Sequence, residues 1–312
     1  MPDSFNEFQQ SVIEEFRANG GKVGGPFDGA DLLLLTTTGA KSGSEHTTPL
    51  GFVREGGRLL VVGSAGGSDR HPAWYHNLLA HPMVRVEIGT ETFGAVAVPA
   101  QGEERDRLFA HVVREAPGYA GYQEQTTRVI PVVVLDRSQP DEALGAAADM
   151  GDMLVRVHTW LRGQLDRVRV EADAYFLARA AHQGPGDPPP PGLGLQLRQH
   201  CLAFCESLEF HHTGEDTHLF PGLEEHHPHL RDTVARLREE HRTVERIQRE
   251  LVELLGAIDT ADPQRFRAEL ELMSAELRAH LDYEEESLIP VLAGIPMPSQ
   301  PPAPAAADGP DA

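Results

Sequence analysis

The chain has 312 residues, enough for two ordinary domains that each bury a core of their own. Its 27 lysines and arginines stand against 48 aspartates and glutamates, and the formal charge of -21 argues against nucleic acid and anionic lipid surfaces as partners. The two cysteines, Cys201 and Cys205, lie one helical turn apart and exclude a disulfide framework, while the longest apolar runs are strand-sized, far short of a bilayer span.

The N-terminus shows no basic-then-apolar leader, so a reducing, cytoplasmic setting is the expectation. Residues 5 to 18 place Phe5, Phe8, Val12, Ile13 and Phe16 at helical spacing. Glu7, Glu14 and Glu15 on the same helix oppose an anionic headgroup layer, so docking onto its own domain is preferred to membrane attachment. Six β-rich segments follow between glycine turns: Leu32–Thr38, Leu50–Arg54, Leu59–Gly63, Val84–Ile88, Phe93–Pro99 and Val129–Leu135. With helices at Pro72–Ala80 and Glu103–Glu115, they read as a small α+β barrel.

Beyond Gly151 the period turns helical, over 152–181, 193–219, 229–256 and 263–293, the pattern of an all-α up-down four-helix bundle. Gln183–Gly192 contains four consecutive prolines and reads as a loop, and the Pro/Ala-rich stretch after Ile295 as a disordered tail. The expected division is a barrel over 1–137, a linker over 138–149, a bundle over 150–294 and a tail over 295–312.

Within the bundle, His211 to Glu215 and His280 to Glu284 repeat one spacing, each followed by a Leu-x-Pro ending in Pro221 or Pro290. At i and i+4 an imidazole and a carboxylate point from one helix face, so each helix can offer a metal one nitrogen and one oxygen. The other two helices place His158 and His241 on apolar stripes where a leucine is expected. Buried imidazoles and carboxylates at one level are costly unless something binds them. Nitrogen and oxygen donors without thiolate suit iron, manganese or zinc, and a site shared by four helices suits two metals.

The region from His158 to Pro290 resembles the hemerythrin-like (HHE cation-binding) domains. The resemblance implies a non-haem di-iron centre held by His158, His211, Glu215, His241, His280 and Glu284, with the two glutamates as bridges, and O2, NO or peroxide as small-molecule partners. Oxygen-carrying hemerythrins have a further histidine one turn after the third-helix ligand, where this chain has Glu245, which argues against plain reversible oxygen carriage. His212, beside a ligand position, reads as surface-exposed with an extra ligand as the alternative, and His218, His226, His227 and His229 near a helix end and loop read as solvated. Cys201 and Cys205 read as small apolar fillers, with a redox pair as the alternative.

In the first half, Thr36 to Gly43 superficially suggests a phosphate loop, but Leu35 and Ala40 stand where the nucleotide-binding pattern needs glycines. What remains is a strand end with backbone amides, hydroxyls and one lysine. Ser64-Ala-Gly-Gly67, His71-Pro-Ala-Trp74-Tyr75-His-Asn77, Pro117-Gly-Tyr119-Ala-Gly-Tyr122 and Arg128 to Pro131 follow. Together these motifs resemble the deazaflavin-dependent nitroreductase family, also called F(420)-dependent quinone reductases, over about residues 5 to 137. The resemblance implies a split β-barrel of the flavin-reductase type. It also implies that Lys41, Ser42 and His46 hold the phosphate and acidic tail of coenzyme F(420), with Ser64, Gly66, Trp74 and Asn77 along it. Ala40, Ala65 and Ala116 stand where many relatives have other residues. Tyr119 and Tyr122 could line the substrate side and offer a hydroxyl to the product anion, or pack as a lid.

The expected activity is hydride transfer from reduced deazaflavin to a quinone, nitro or related acceptor, in one chain with a di-iron domain. FMN in the same barrel and a non-enzymatic iron or gas sensor are the alternatives, and homo-oligomerisation is compatible with the sequence.

Overall fold

A computed structural model describes residues 2–138, 147–181 and 191–296. Most of the expected linker and tail, and most of the proline-rich loop, lie outside these described residues.

The first half is a closed, all-antiparallel barrel in the order β1-β2-β3-β6-β5-β4, closed by β1 against β4. Its strands are β1 Leu32–Thr38, β2 Glu45–Glu55, β3 Arg58–Val62, β4 Met83–Ile88, β5 Glu91–Pro99 and β6 Val132–Arg137. Side chains alternate across a strand, which explains why runs such as Leu32–Leu35 are apolar throughout. Leu33 and Leu35 face the barrel interior, whereas Leu32 and Leu34 pack under Val12, Ile13 and Phe16 of α1, Pro2–Ala18. Likewise Leu59 and Val61 of β3 face inward, and Leu60 and Val62 meet Leu108 and Val112 of α3, Gly102–Glu115. Trp74 and Leu78 of α2, Ala73–Ala80, join the interior cluster.

All six expected strands form, five with boundaries shifted by at least one residue, and the largest shifts are those of β2 and β6. β2 starts at Glu45 because its register with β1 runs on to Thr38 opposite Glu45. β6 starts at Val132 rather than Val129 because Arg128 turns back to clamp the 63–68 turn. Tyr119 and Tyr122 lie on a short helix, α4, Gly118–Glu124.

The second half is a four-helix bundle. Its long helices are α5 Met150–Ala181, α6 Pro191–Gly214, α8 Arg231–Gly256 and α9 Pro263–Leu292, with α5 on α6 and α9, and α8 on α6 and α9. The second of these does not stop at residue 219 as expected. It passes through a π-helical turn, Glu215–Leu219, into α7, Phe220–His226. Pro221 lacks an N–H and would clash within a regular α-helix, and the wider turn absorbs it at the start of the next segment.

Helix α6 also docks the bundle onto the barrel. Gln199 is fully buried and its Nε2 donates to Leu78 O (2.8 Å) and Ala97 O (3.1 Å), while Arg198 donates to Leu79 O (2.8 Å). Glu206 accepts from Met83 N and lies 2.8 Å from His81 Nδ1. His200 is buried with Nδ1 2.8 Å from Glu171 of α5 and Nε2 3.6 Å from Asp136 of β6. No helix among the described residues is long and apolar enough to cross a membrane.

His200 makes this contact pH-sensitive. Burial disfavours its charged form, but Asp136 and Glu171 outweigh that and raise its pKa above the ordinary 6.5. Its folded-state value is the higher one, so its stabilisation is fully present below about 6.5 and is lost as pH rises through the raised value. The melting temperature of the wild type is expected to fall from pH 6 to pH 9 more steeply than that of His200→Gln. Parallel calorimetric profiles of the two proteins would remove this role.

Candidate metal centre and cofactor pocket

The four long helices bring together every histidine and glutamate that the sequence assigned to a metal. His158 (α5), Glu215 (the π-turn), His241 (α8), His280 and Glu284 (α9) are buried, and the side chain of His211 (α6) is 11% exposed. They occupy one layer. Below it lies the larger apolar cluster containing Leu161, Leu165, Phe204, Val244 and Leu277, and above it a smaller one containing Leu154, Phe220, Leu237 and Leu288.

The donors form two groups, within each of which one ligand atom per residue lies within 4.8 Å of the others: His158, His211, Glu215 and Glu284, and beside them His212, His241 and His280. The two glutamates span the groups. Glu215 Oε1 is 3.2 Å from His211 Nε2 and its Oε2 3.5 Å from His241 Nε2. Glu284 Oε2 is 3.5 Å from His158 Nε2 and 3.6 Å from His280 Nε2.

His212 corrects the sequence reading. It is buried, not surface-exposed, and its ring stacks on His241 with centroids 4.0 Å apart. The signal was present in the chain: Cys201, Cys205, Leu208, His212 and Glu215 recur at intervals of four and three, one inward stripe of α6 and its continuation. Cys201 and Cys205 on that stripe are free thiols buried in the larger apolar cluster.

Burial governs the protonation of these groups. It lowers the imidazoles, His158 to about 3 and His241 to about 4, and His211 and His212 well below the usual value. Burial also raises the carboxyls, Glu284 to about 7 and Glu215 well above the usual carboxylate range, where the neighbouring Glu284 adds to it. Neutral imidazoles are the form that binds metal, and a cation can replace the carboxyl protons. Both oxygens of Glu215 and of Glu284, and the Nε2 atoms of His212, His241 and His280, are buried without a hydrogen-bond partner among the described residues. A donor set that faces inward and finds nothing to bind fits a metal.

Three of the histidines present their outer nitrogen to a carboxylate adjacent in sequence to one of the candidate donors, which the sequence reading passed over. His158 Nδ1 is 2.9 Å from Glu285, itself 2.7 Å from Arg162. His280 Nδ1 is 3.0 Å from Glu240, itself 2.7 Å from Arg236. His241 Nδ1 lies 3.2 Å from Asp216, with Arg238 3.8 Å beyond, but without the alignment of a hydrogen bond, so the proton is held at Nδ1 by a carboxylate only on His158 and His280. A carboxylate at Nδ1 holds the proton there and turns the Nε2 lone pair inward.

On the barrel, Lys41, Ser42 and His46 lie exposed around the loop that follows β1, and Lys41 has no ion pair among the described residues. The side chains of Ser42 and His46 converge over Gly39, where a Cβ would meet Ser42 Oγ at 2.4 Å and His46 Nε2 at 3.0 Å. Asn77 ties this loop to α2: its Oδ1 accepts from Ala40 N (3.1 Å) and its Nδ2 donates to Thr37 Oγ1 (3.1 Å). Ser64 is right-handed and Ala65 follows at φ +47, a succession that aims adjacent N–H groups to one side as anion-binding turns do. The space above Gly66 is open. Arg128 clamps this turn from behind, donating to Gly63 O, Ser64 O and Ser68 O at 2.7 to 2.9 Å. Trp74 is buried in the barrel core. Tyr119 and Tyr122 meet edge to face, and burial raises the Tyr119 pKa, which keeps the phenol protonated.

The F420H(2)-dependent quinone reductase family model matches residues 9–137, and the hemerythrin HHE cation binding domain model matches residues 149–292. The F420H(2)-dependent quinone reductase of Mycobacterium tuberculosis (strain ATCC 25618 / H37Rv) is 45% identical over 127 residues, 39% of this chain and 85% of that one. This chain belongs to the F420H(2)-dependent quinone reductase family. The corresponding protein of M. tuberculosis strain CDC 1551 / Oshkosh matches at the same identity and coverage. A solved F420-H2 dependent reductase is 41% identical, covering 34% of this chain and 94% of its own, at a TM-score of 0.32. The barrel is therefore a deazaflavin-dependent oxidoreductase domain of that family, and the second half of the chain is a hemerythrin HHE domain.

Two substitutions separate ligand from supporting roles in that second domain. His212→Leu takes a nitrogen from the three-imidazole group and is expected to release cation more readily than the wild type in chelator competition. Glu285→Gln leaves every ligand in place and is expected to weaken binding by about 10- to 100-fold. Native affinity in His212→Leu would return His212 to a packing role.

Proposed function

We propose that the barrel passes hydride from reduced F(420) to a quinone, nitro or related acceptor, and that the bundle holds two iron ions which meet O2, NO or peroxide. The observation that carries the second statement is the span of Glu215 and Glu284 across two adjacent donor groups, one with three imidazoles and one with two. Two carboxylates that each reach both groups suit a pair of cations, nitrogen and oxygen donors without thiolate admit iron, and the match to the hemerythrin HHE model favours iron over manganese or zinc.

When bound, F(420) supplies the hydride. The chain's part is to bind and orient it. Lys41 offers a free positive charge to an acidic tail, and Ser42 and His46 offer hydrogen bonds beside it. Asn77 holds the loop that carries them, while the Ser64–Gly67 turn presents backbone amides with open space over Gly66. Trp74 supports the pocket from the barrel core, and the protonated phenol of Tyr119, with Tyr122 against it, can donate to oxygen on the reduced acceptor.

Lys41→Ala is expected to weaken F(420) binding by about tenfold, the loss of one charge-assisted contact of ~1.5 kcal/mol. Fluorescence titration with F(420) and, separately, with FMN measures it. Tight FMN binding without F(420) binding would overturn the barrel reading. Elemental analysis of the isolated protein should give two irons per chain, and one metal or none would overturn the bundle reading.

A further inference from the structure

The donor layer of the bundle is closed on most sides. His158, His212, Glu215, His241, His280 and Glu284 are buried, and only the side chain of His211 keeps an exposure of 11%. His158 and His280 are each held by a carboxylate at Nδ1, whereas among the described residues none meets Nδ1 of His211. The least enclosed donor is thus also one of the least restrained.

His211 and Glu215 are the two donors that line a cavity of about 1340 Å³ between barrel and bundle, to which Thr38, His81 and Met83 contribute from the barrel. Glu209, His218 and His226 on its wall are exposed, so it opens to solvent. Beside His211 that wall is low. Gly214 lines the cavity one helical turn on, and a Cβ there would meet nothing outside its own helix backbone within 4 Å. Its φ of -61 and ψ of -41 are ordinary helical angles, so neither conformation nor crowding calls for glycine, which weakens a helix. Residues three apart share a helix face and side chains lean toward the N-terminus, so a side chain at 214 would lie over His211. Gly222 of α7 lines the same cavity, again with open space at its Cβ.

The polar groups on the wall select what passes. Glu206, Glu209, His218, His226 and His227 share it with Glu215, whose two oxygens are buried without a hydrogen-bond partner among the described residues. Among the described lining residues Arg156 is the one lysine or arginine, and Asp152 holds it at 3.0 Å. Oxygen and nitrogen donors with no free guanidinium or ammonium group favour a divalent cation over an anion.

We propose that divalent cations load the donor layer through this cleft, entering past Gly214 on the His211 side. That a cation is bound at all rests on the function proposed for the bundle; the side on which it enters rests on the cleft itself.

For the test, the full chain is freed of metal, and its uptake of cobalt(II) is followed by stopped-flow absorbance, its release by transfer to excess EDTA and its affinity by chelator competition. Gly214→Leu puts a good helix former where space is open. It is expected to slow uptake and release alike by about tenfold or more and to leave affinity within about twofold, because a narrowed path changes both rates by the same factor. Gly222→Leu is expected to act in the same direction, and Glu209→Gln to slow uptake by about two- to fivefold at low salt. Circular dichroism should show all three variants folded. Wild-type uptake rates in all three, with cobalt still bound at equilibrium, would overturn the path and leave the metal centre standing. Slower uptake matched by weaker affinity, with release unchanged, would make position 214 a matter of ligand geometry and overturn the path as well. No cobalt bound by the wild type would overturn the metal centre, and the path with it.

Discussion

Four helices press five imidazoles and two carboxylates into one dry layer, and the arrangement of the second domain follows from what that layer requires. Apolar packing above and below supplies the cohesion, while the layer interrupts it with polar groups that, His211 apart, are buried. Neutral imidazoles and raised carboxyls make the layer bearable without an ion, yet their donor atoms still face one another with nothing to bind. The carboxylates of Glu285, Glu240 and Asp216 sit behind this layer and are in turn held by arginines, so orientation is imposed from the surface inward.

Much of this was legible in the sequence because periodicity records burial. Six strands, the docking of α1 and the four long helices all came from the spacing of apolar residues, and the repeated His-x-x-x-Glu marked the two segments that each bring an imidazole and a carboxylate into the layer. His212 was misread because its neighbour His211 already filled the motif, although its own stripe through Cys205 and Leu208 pointed inward. The continuation of α6 into α7 was hidden by Pro221, which ordinarily ends a helix and here follows a turn wide enough to admit it. The outer carboxylates could have been suspected from their adjacency to ligands, but only tertiary packing decides which acid reaches which ring.

What sequence could not provide is the relation between the two halves. Gln199 seeks carbonyls at residues 78 and 97, more than a hundred positions away, and a buried glutamine in a helix gives no hint of where its partners lie. The same contact leaves a cleft beside it, with one wall built by each domain. Neither wall is recognisable as part of a site from its own residues, because each is an ordinary mixture of methionine, leucine and glutamate.

Helix α6 runs unbroken from the docking residue Gln199 to the donor His211. Twelve residues of α-helix measure about 18 Å and resist stretching because each backbone hydrogen bond shares the load. Any axial slide or roll of the histidine end is thus delivered to the barrel's α2 and β5 with little attenuation, as through a push-rod. Adding one residue between the two ends would swing His211 by about 100° relative to Gln199, so chain length within this segment is as constrained as the identity of the groups at either end.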